Sequence, residues 1–214
     1  MPEAAAPTPI PGKRILLALL GVVIVAVAIV AITILRRPPD PKFEDLGVVS
    51  PFTLTDERGQ PFTAEALRGH VTIVSFLFTR CDTICPVTTM KMANLQEKTF
   101  DVGDRVKLVS FSVDPTYDTP ARLTVYAERF HADPERWRFI TGPEDKVRTL
   151  IEGPFMTSMM REGTQSNGAP NIAHGGYFLL VDPTLRIRGT YDSNDIHRLD
   201  ELVRDARFLA RTMI

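Results

Sequence analysis

The sequence predicts an α/β sandwich built on a mixed β-sheet, with an N-terminal β-hairpin, preceded by one apolar membrane helix. Three observations predict it. Residues 15–35 (ILLALLGVVIVAVAIVAITIL) contain no charge. From residue 48 onward, strand-like and helix-like stretches alternate. Two of the strand-like stretches, 71–78 (VTIVSFLF) and 106–113 (VKLVSFSV), are near-continuous apolar runs, the pattern of strands buried on both faces.

Taken in order, residues 1–14 form a short tail. The run 15–35 would span roughly 31 Å as a helix, about one hydrocarbon core. A cleaved signal peptide has a shorter apolar stretch of ~7–15 residues and a small-residue cleavage site. This run is longer and ends in Arg36-Arg37-Pro38-Pro39, so it reads as a retained anchor. A buried soluble helix would not be flanked by Lys13-Arg14 and Arg36-Arg37. The basic residues are balanced across the span and leave orientation to the mass that follows it. That places the tail in the cytoplasm and the domain outside. Residues 36–47 contain three prolines, which disfavour helix, and read as a stiff spacer. Residues 48–214 form the domain.

Within that domain, 52–55 and 60–63 flank Asp56-Glu-Arg-Gly59 and read as a hairpin. The strand at 71–78 is followed by a helix over 86–97 and the strand at 106–113. Thr119-Pro120 supplies an N-cap and a first-turn proline for a helix to Phe130. Residues 137–141 read as a short strand and 143–151 as a short helix. A second hairpin joins 177–181 to 186–191 through Asp182-Pro183-Thr184. The last helix, 194–210, places Ile196, Leu199, Val203, Ala206 and Leu209-Ala210 at helical spacing. A β-α-β unit, a further α-β, then a hairpin and a closing helix is the thioredoxin-like order.

Composition narrows the function classes. The chain has 214 residues, 44% hydrophobic and 24% charged, ordinary globular values. Setting aside Glu3, Lys13, Arg14, Arg36 and Arg37 leaves 21 basic and 25 acidic residues in 38–214, a net of −4. A mildly acidic domain argues against nucleic acid as a partner. Two cysteines exclude a disulfide-rich scaffold and a four-cysteine zinc site.

Those two cysteines carry the chemistry. Cys81 and Cys85 lie four apart between the strongest strand and the start of a helix. Loops beyond the carboxyl ends of central strands form the binding crevice of open α/β sheets. A helix N-terminus stabilises thiolate over thiol. At four-residue spacing two side chains are neighbours on one helical face, so the sulfurs can close a disulfide or converge on a soft metal ion. A structural disulfide, buried thiols or chance spacing are the plainer readings. A disulfide over so small a loop gives little entropic stabilisation. Of the histidines, His70 precedes the core strand at its far end, and His131 and His197 border helices. His174 lies in Asn171-Ile-Ala-His-Gly-Gly176, directly before the 177–181 strand. In this fold that loop faces the cysteine loop, within reach of both sulfurs.

The run Val74-Ser-Phe-Leu-Phe-Thr-Arg-Cys-Asp-Thr-Ile-Cys-Pro86 resembles the signature of the Sco (SenC/PrrC) family of copper-binding, thioredoxin-like proteins. So do Phe111-Ser-Val-Asp-Pro115 with Asp118-Thr-Pro120, Trp137-Arg-Phe-Ile-Thr-Gly142, and His174 before its strand. The resemblance covers about 48–210. It implies a single-pass inner-membrane protein with its domain on the periplasmic or equivalent outer side. It implies copper, Cu(I) with Cu(II) as a second state, held by Cys81, Cys85 and His174. The implied work is metallochaperone rather than enzyme: delivery of copper, or of reducing equivalents, to the copper subunit of cytochrome c oxidase or another copper or thiol protein. Two positions depart from the family: Asp82-Thr83 stands where Pro-Asp is usual, and Ala173 where an acid usually precedes the histidine. An acid there would orient the imidazole, and its replacement tilts the chain toward thiol redox work.

Two mechanisms follow. As a copper carrier, the chain binds through deprotonated Cys81 and Cys85 and neutral His174, and oxidation to a disulfide closes the site. As a thiol–disulfide reductase, Cys81, the more exposed cysteine, attacks a partner disulfide and Cys85 resolves it. Asp82 would then raise the thiol pKa. A Cys–His hydrolase leaves the second cysteine unexplained, and a peroxidase lacks its own cysteine pocket. Asp114 and Asp118 read either as near-site acids or, favoured for Asp118, as a turn and helix cap. Met156, Met159 and Met160 suit either Cu(I) hand-over or an amphipathic packing segment. Met90 and Met92 read as helix and core residues.

Overall fold

The computed structural model describes residues 12–35, 40–81, 84–155, 160–164, 170–173 and 176–213. The chain forms two compact units, Met1–Pro41 and Lys42–Ile214. The first contains helix α1 (Gly12–Leu35), 24 residues with exposed leucines, valines and isoleucines. Its side chains are described without interruption only over 19–32. Counted over described residues alone, no helix is long and apolar enough to cross a membrane.

The second unit is built on a seven-stranded mixed sheet. Its strands are β1 (Thr53–Asp56), β2 (Pro61–Thr63), β3 (Val71–Leu77), β4 (Val106–Ser112), β5 (Trp137–Thr141), β8 (Tyr177–Val181) and β9 (Ile187–Asp192), in the order β2-β1-β5-β4-β3-β8-β9. The two apolar runs form the adjacent central strands. β3 pairs in parallel with β4 over its whole length, and β4 with β5, while β8 pairs antiparallel to β3. Every residue of β3 is buried, so both faces are covered. The helices are α2 (Ile84–Lys98), α3 (Pro120–Arg129), α4 (Glu144–Glu152) and α5 (Ile196–Thr212). This is the thioredoxin-like α/β arrangement read from the sequence.

Local chemistry sets the boundaries. Gly59, at φ +75°, closes the β1–β2 turn. Asp56 caps that turn through the Arg58 and Gln60 N–H groups at 2.9 and 2.8 Å, and pairs across with Arg138 on β5. Thr119 caps α3 by accepting from the Arg122 N–H, ahead of Pro120. Asp195 caps α5, which therefore starts at Ile196 rather than at Asn194. Ile196 sits in that first turn and is 60% exposed, outside the apolar stripe assigned to it; Leu199, Val203, Ala206, Leu209 and Ala210 are buried.

Two features lay beyond the sequence reading. A separate two-stranded sheet joins β6 (Met160–Thr164) to β7 (Pro170–Ala173). MREGT and PNIA carry no apolar alternation, so the period-two signal of a half-buried strand is missing there. Met160 thus opens a strand, whereas Met156 and Met159 lie outside the described residues. The second feature is a strap along β9. The N–H groups of Glu44, Leu46 and Val49 donate to the carbonyls of Arg188, Ile187 and Leu185. Phe43 meets the Phe208 ring at 6.0 Å and the Arg188 guanidinium at 5.6 Å, and Asp45 pairs with Arg186 at 2.6 Å. Residues 43–47 of the stretch read as spacer therefore belong to the second unit, paired along its edge. The strap covers an edge strand that would otherwise present unpaired backbone groups.

The core is aromatic where the sheet meets α4. Phe111, fully buried on β4, contacts Phe52, Phe76 and Phe155 at ring-centroid distances of 5.4–6.4 Å. Truncating it removes a large buried ring that its neighbours cannot replace. Phe111→Ala is predicted to destabilise the chain by about 3–5 kcal/mol, read as a lower urea midpoint at unchanged slope.

Candidate metal and thiol site

The site grows from the carboxyl ends of β3 and β4. The Val113 N–H donates to the Leu77 carbonyl at 2.8 Å and holds the two strand ends together. The chain then turns over Phe78–Cys81, closed by the Cys81 N–H donating to the Phe78 carbonyl at 3.3 Å. Thr79 and Arg80 are the central residues of this turn. Each is held by an acid from the loop between β4 and α3. Asp118 accepts from the Thr79 N–H at 3.1–3.2 Å and from the hydroxyls of Thr79 and Ser112. Asp114 pairs with the Arg80 Nε at 2.6 Å. The Tyr117 ring lies against the guanidiniums of Arg80 and Arg122, at 4.5 and 3.8 Å. Both acids are fully buried.

α2 begins three residues after Cys81, with Cys85 and Pro86 in its first turn, where the missing proline N–H costs no helix hydrogen bond. The Cys85 N–H donates to Cys81 Sγ at 3.4 Å. The two residues carry separate thiols, 4% and 1% exposed. Thr89 donates its hydroxyl to the Cys85 carbonyl at 2.8 Å, so the buried Tyr126 hydroxyl donates to Thr89. Burial pushes the Tyr126 phenol up, and negative charge on the cysteines adds to that.

The electrostatics tie the two sulfurs together. The Cys85 thiol is pushed far up, first by its hydrogen bond to Cys81, then by burial, then by the charge of Cys81. One thiolate thus makes the second harder to form. A soft cation or a disulfide bond would remove that conflict, the first by offsetting the second negative charge and the second by leaving no ionisable sulfur. Asp118 is also raised: burial outweighs the donors from Ser112 and Thr79, and Asp114 adds repulsion.

Cys81 and Cys85 are brought together as the sequence reading requires, and Cys81 is the more exposed of the two, although both are buried. His174, Asp82 and Thr83 lie outside the described residues. β8 runs antiparallel to β3 with Val74 opposite Leu179, so it begins at the sheet end that carries the cysteines. The other histidines are placed elsewhere. His70 Nδ1 lies 3.1 Å from the Asp104 carbonyl at the opposite end of β3. The His131 carbonyl accepts from Gln96 near the far end of α2, and His197 is exposed in the first turn of α5. Among the described residues, no group of three His, Cys, Asp or Glu is arranged to hold a metal. Met92 is core, whereas Met90 is 64% exposed on α2. Thr119 caps α3 as read, and Asp118 lies in the turn before it with its side chain directed to the cysteine loop, as the near-site alternative has it.

A mixed-sheet α/β domain with two thiols at a helix N-terminus, beyond the central strand, defines a thioredoxin-like protein built for thiol or soft-metal chemistry. The family model described as SCO1/SenC matches residues 42–209, and the chain belongs to that family. It is 31% identical over 159 residues to the SCO1 protein homolog of Bacillus subtilis, covering 74% of this chain and 81% of that one. It superposes on the structure of BsSco, described with a disulfide switch as a member of the Sco family of cytochrome c oxidase assembly proteins. That match has TM-score 0.68 and 28% identity, over 80% of this chain and 98% of that one. Copper-bound ScoI of Arabidopsis thaliana matches with TM-score 0.66 and 25% identity, over 75% of this chain and 99% of that one.

The raised carboxyl gives a pH prediction. An acid whose folded value exceeds its unfolded value near 3.8 contributes stability in full below that value and loses it as pH rises through the folded value. Asp118→Asn has no such titration. The stability of Asp118→Asn relative to the native chain is therefore predicted to increase from pH 4 to pH 7, read by thermal unfolding across that range.

Proposed function

We propose that this chain is a membrane-anchored copper metallochaperone that binds Cu(I) through Cys81, Cys85 and His174 and delivers it to the copper subunit of cytochrome c oxidase. The observation that carries this is the buried pair of thiols at the start of α2, with the Cys85 N–H on Cys81 Sγ at 3.4 Å. A soft cation would take the place of the thiol protons there, which suits uptake and release by ligand exchange. Copper held by the Arabidopsis relative supports the same cargo here. For His174, the support is topology: in the sequence it precedes β8, which starts at the sheet end that carries the cysteines.

The anchor reading rests on α1. A helix of 24 residues is about 36 Å long, enough for a ~30 Å hydrocarbon core. Residues 1–14 are then a cytoplasmic tail, 15–35 the span, 36–47 the connection and 48–214 the domain on the periplasmic or equivalent outer side.

The same pair supports a second reading, reduction of partner disulfides. Cys81 as thiolate attacks a partner disulfide, forming a mixed disulfide and releasing one partner sulfur. Cys85 then gives its proton to that leaving sulfur and attacks Cys81 Sγ. The second partner sulfur leaves as a thiolate that takes a proton from water, so the partner ends with two thiols and the chain with a Cys81–Cys85 disulfide. The disulfide switch of BsSco is a precedent in a relative.

Anaerobic titration of the reduced full chain in detergent against a Cu(I) chelator separates the two. The copper reading expects one tightly held Cu(I) per chain, lost in Cys81→Ser or Cys85→Ser. His174→Ala should weaken it by about tenfold or more, ~1.4 kcal/mol. No retained copper, with both thiols intact and readily oxidised, would sink that reading and leave thiol exchange.

A further inference from the structure

We infer that Asp118, gripping the turn that presents Cys81, is a positioning residue that fixes how closely the two sulfurs approach. The inference rests on the reading of Cys81 and Cys85 as the working pair.

The geometry is specific. The Phe78–Cys81 turn has two central residues, and the β4–α3 loop places one buried carboxylate on each. Asp118 takes the Thr79 backbone N–H and the Thr79 hydroxyl together, so it fixes both the position and the rotation of that residue. Its other oxygen contact, Ser112, belongs to the last residue of β4 and ties the grip to the sheet. The Ser112 hydroxyl in turn accepts from the Asp114 N–H at 3.1 Å, and the Asp118 N–H donates to the Asp114 carbonyl at 2.9 Å. One connected network therefore runs from the sheet through both acids to the two residues before Cys81. On the other side, Cys85 is set by the first turn of α2, with Thr89 and Tyr126 behind it. Cys81 is joined to the sheet on its N-terminal side through this grip. The arrangement also explains why a fully buried carboxyl group is kept here, held by neutral donors from Thr79 and Ser112, where an apolar residue would incur no desolvation cost. Preorganisation of this kind raises the effective concentration of one sulfur at the other.

The test compares Asp118→Ala, Asp118→Asn and Thr79→Val in the full chain in detergent. Leu202→Ala, in buried α5 and remote from the loop, serves as a destabilised control. The readout is the dithiol–disulfide equilibrium against a glutathione buffer, quantified by alkylation well below the unfolding temperature. Asp118→Ala is expected to disfavour the disulfide by about tenfold, ~30 mV for this two-electron couple. Thr79→Val, which keeps the backbone bond, should shift it by a smaller factor in the same direction. Asp118→Asn retains an acceptor oxygen and should recover most of the native value. Leu202→Ala should leave it unchanged. If Asp118→Ala loses its fold, Thr79→Val carries the test alone. A native equilibrium in Asp118→Ala and Thr79→Val, or a shift in Leu202→Ala equal to theirs, overturns the inference. Failure of the native chain to form the disulfide would instead overturn the reading of the pair, which the native arm reports separately.

Discussion

The parallel pairing of β3 with β4 is the constraint on which the rest depends. Parallel strands end on the same side of a sheet, so the loops that leave them must meet. Here one loop carries Cys81 and the other carries Asp114 and Asp118. Val113 bonded to Leu77 carries the ladder into those loops. The burial of β3 at every position makes the pairing rigid, because a shift of register would move its entire apolar set. β8 adds the third approach by running antiparallel beside β3, which brings its start to the same end.

That convergence concentrates negative charge where little water reaches. Two carboxylates and two thiols lie within one small region, all of them buried. Arg80 neutralises Asp114 directly. Asp118 is satisfied by dipoles instead, while the Cys85 thiol is pushed up by its hydrogen bond to Cys81 and by burial. On the proposed reading, a monovalent cation would relieve the repulsion in one step, and oxidation would do so by removing both ionisable sulfurs.

The sheet was legible because its central strands are long, apolar and rich in β-branched residues. β5 was read over the same residues as it occupies, and the other main strands and helices within one or two residues. Caps explain the small displacements: Asp195 starts α5 later than its apolar pattern suggests, and Ile84 starts α2 earlier than Pro86 does. The β6–β7 pair was illegible because its residues carry no alternation. The strap over 43–49 was hidden by three prolines, which correctly announced extended chain but said nothing of Phe43 and Leu46 finding partners. Cys81 and Cys85 stood out by spacing. Asp118 was legible as a near-site acid only as the less favoured alternative, because Asp-Thr-Pro before a helix is a normal turn and cap sequence; its inward turn depends on Thr79, which is 39 residues away in sequence.

The strap also decides what β9 can join. An open edge strand is a template on which a second chain can add a strand. Here the N–H groups of Glu44, Leu46 and Val49 already donate to carbonyls along and just before β9, and Phe43 and Asp45 hold the segment through Phe208 and Arg186. Peeling that segment away would bare the edge and invite pairing between copies of the chain without touching the sulfurs.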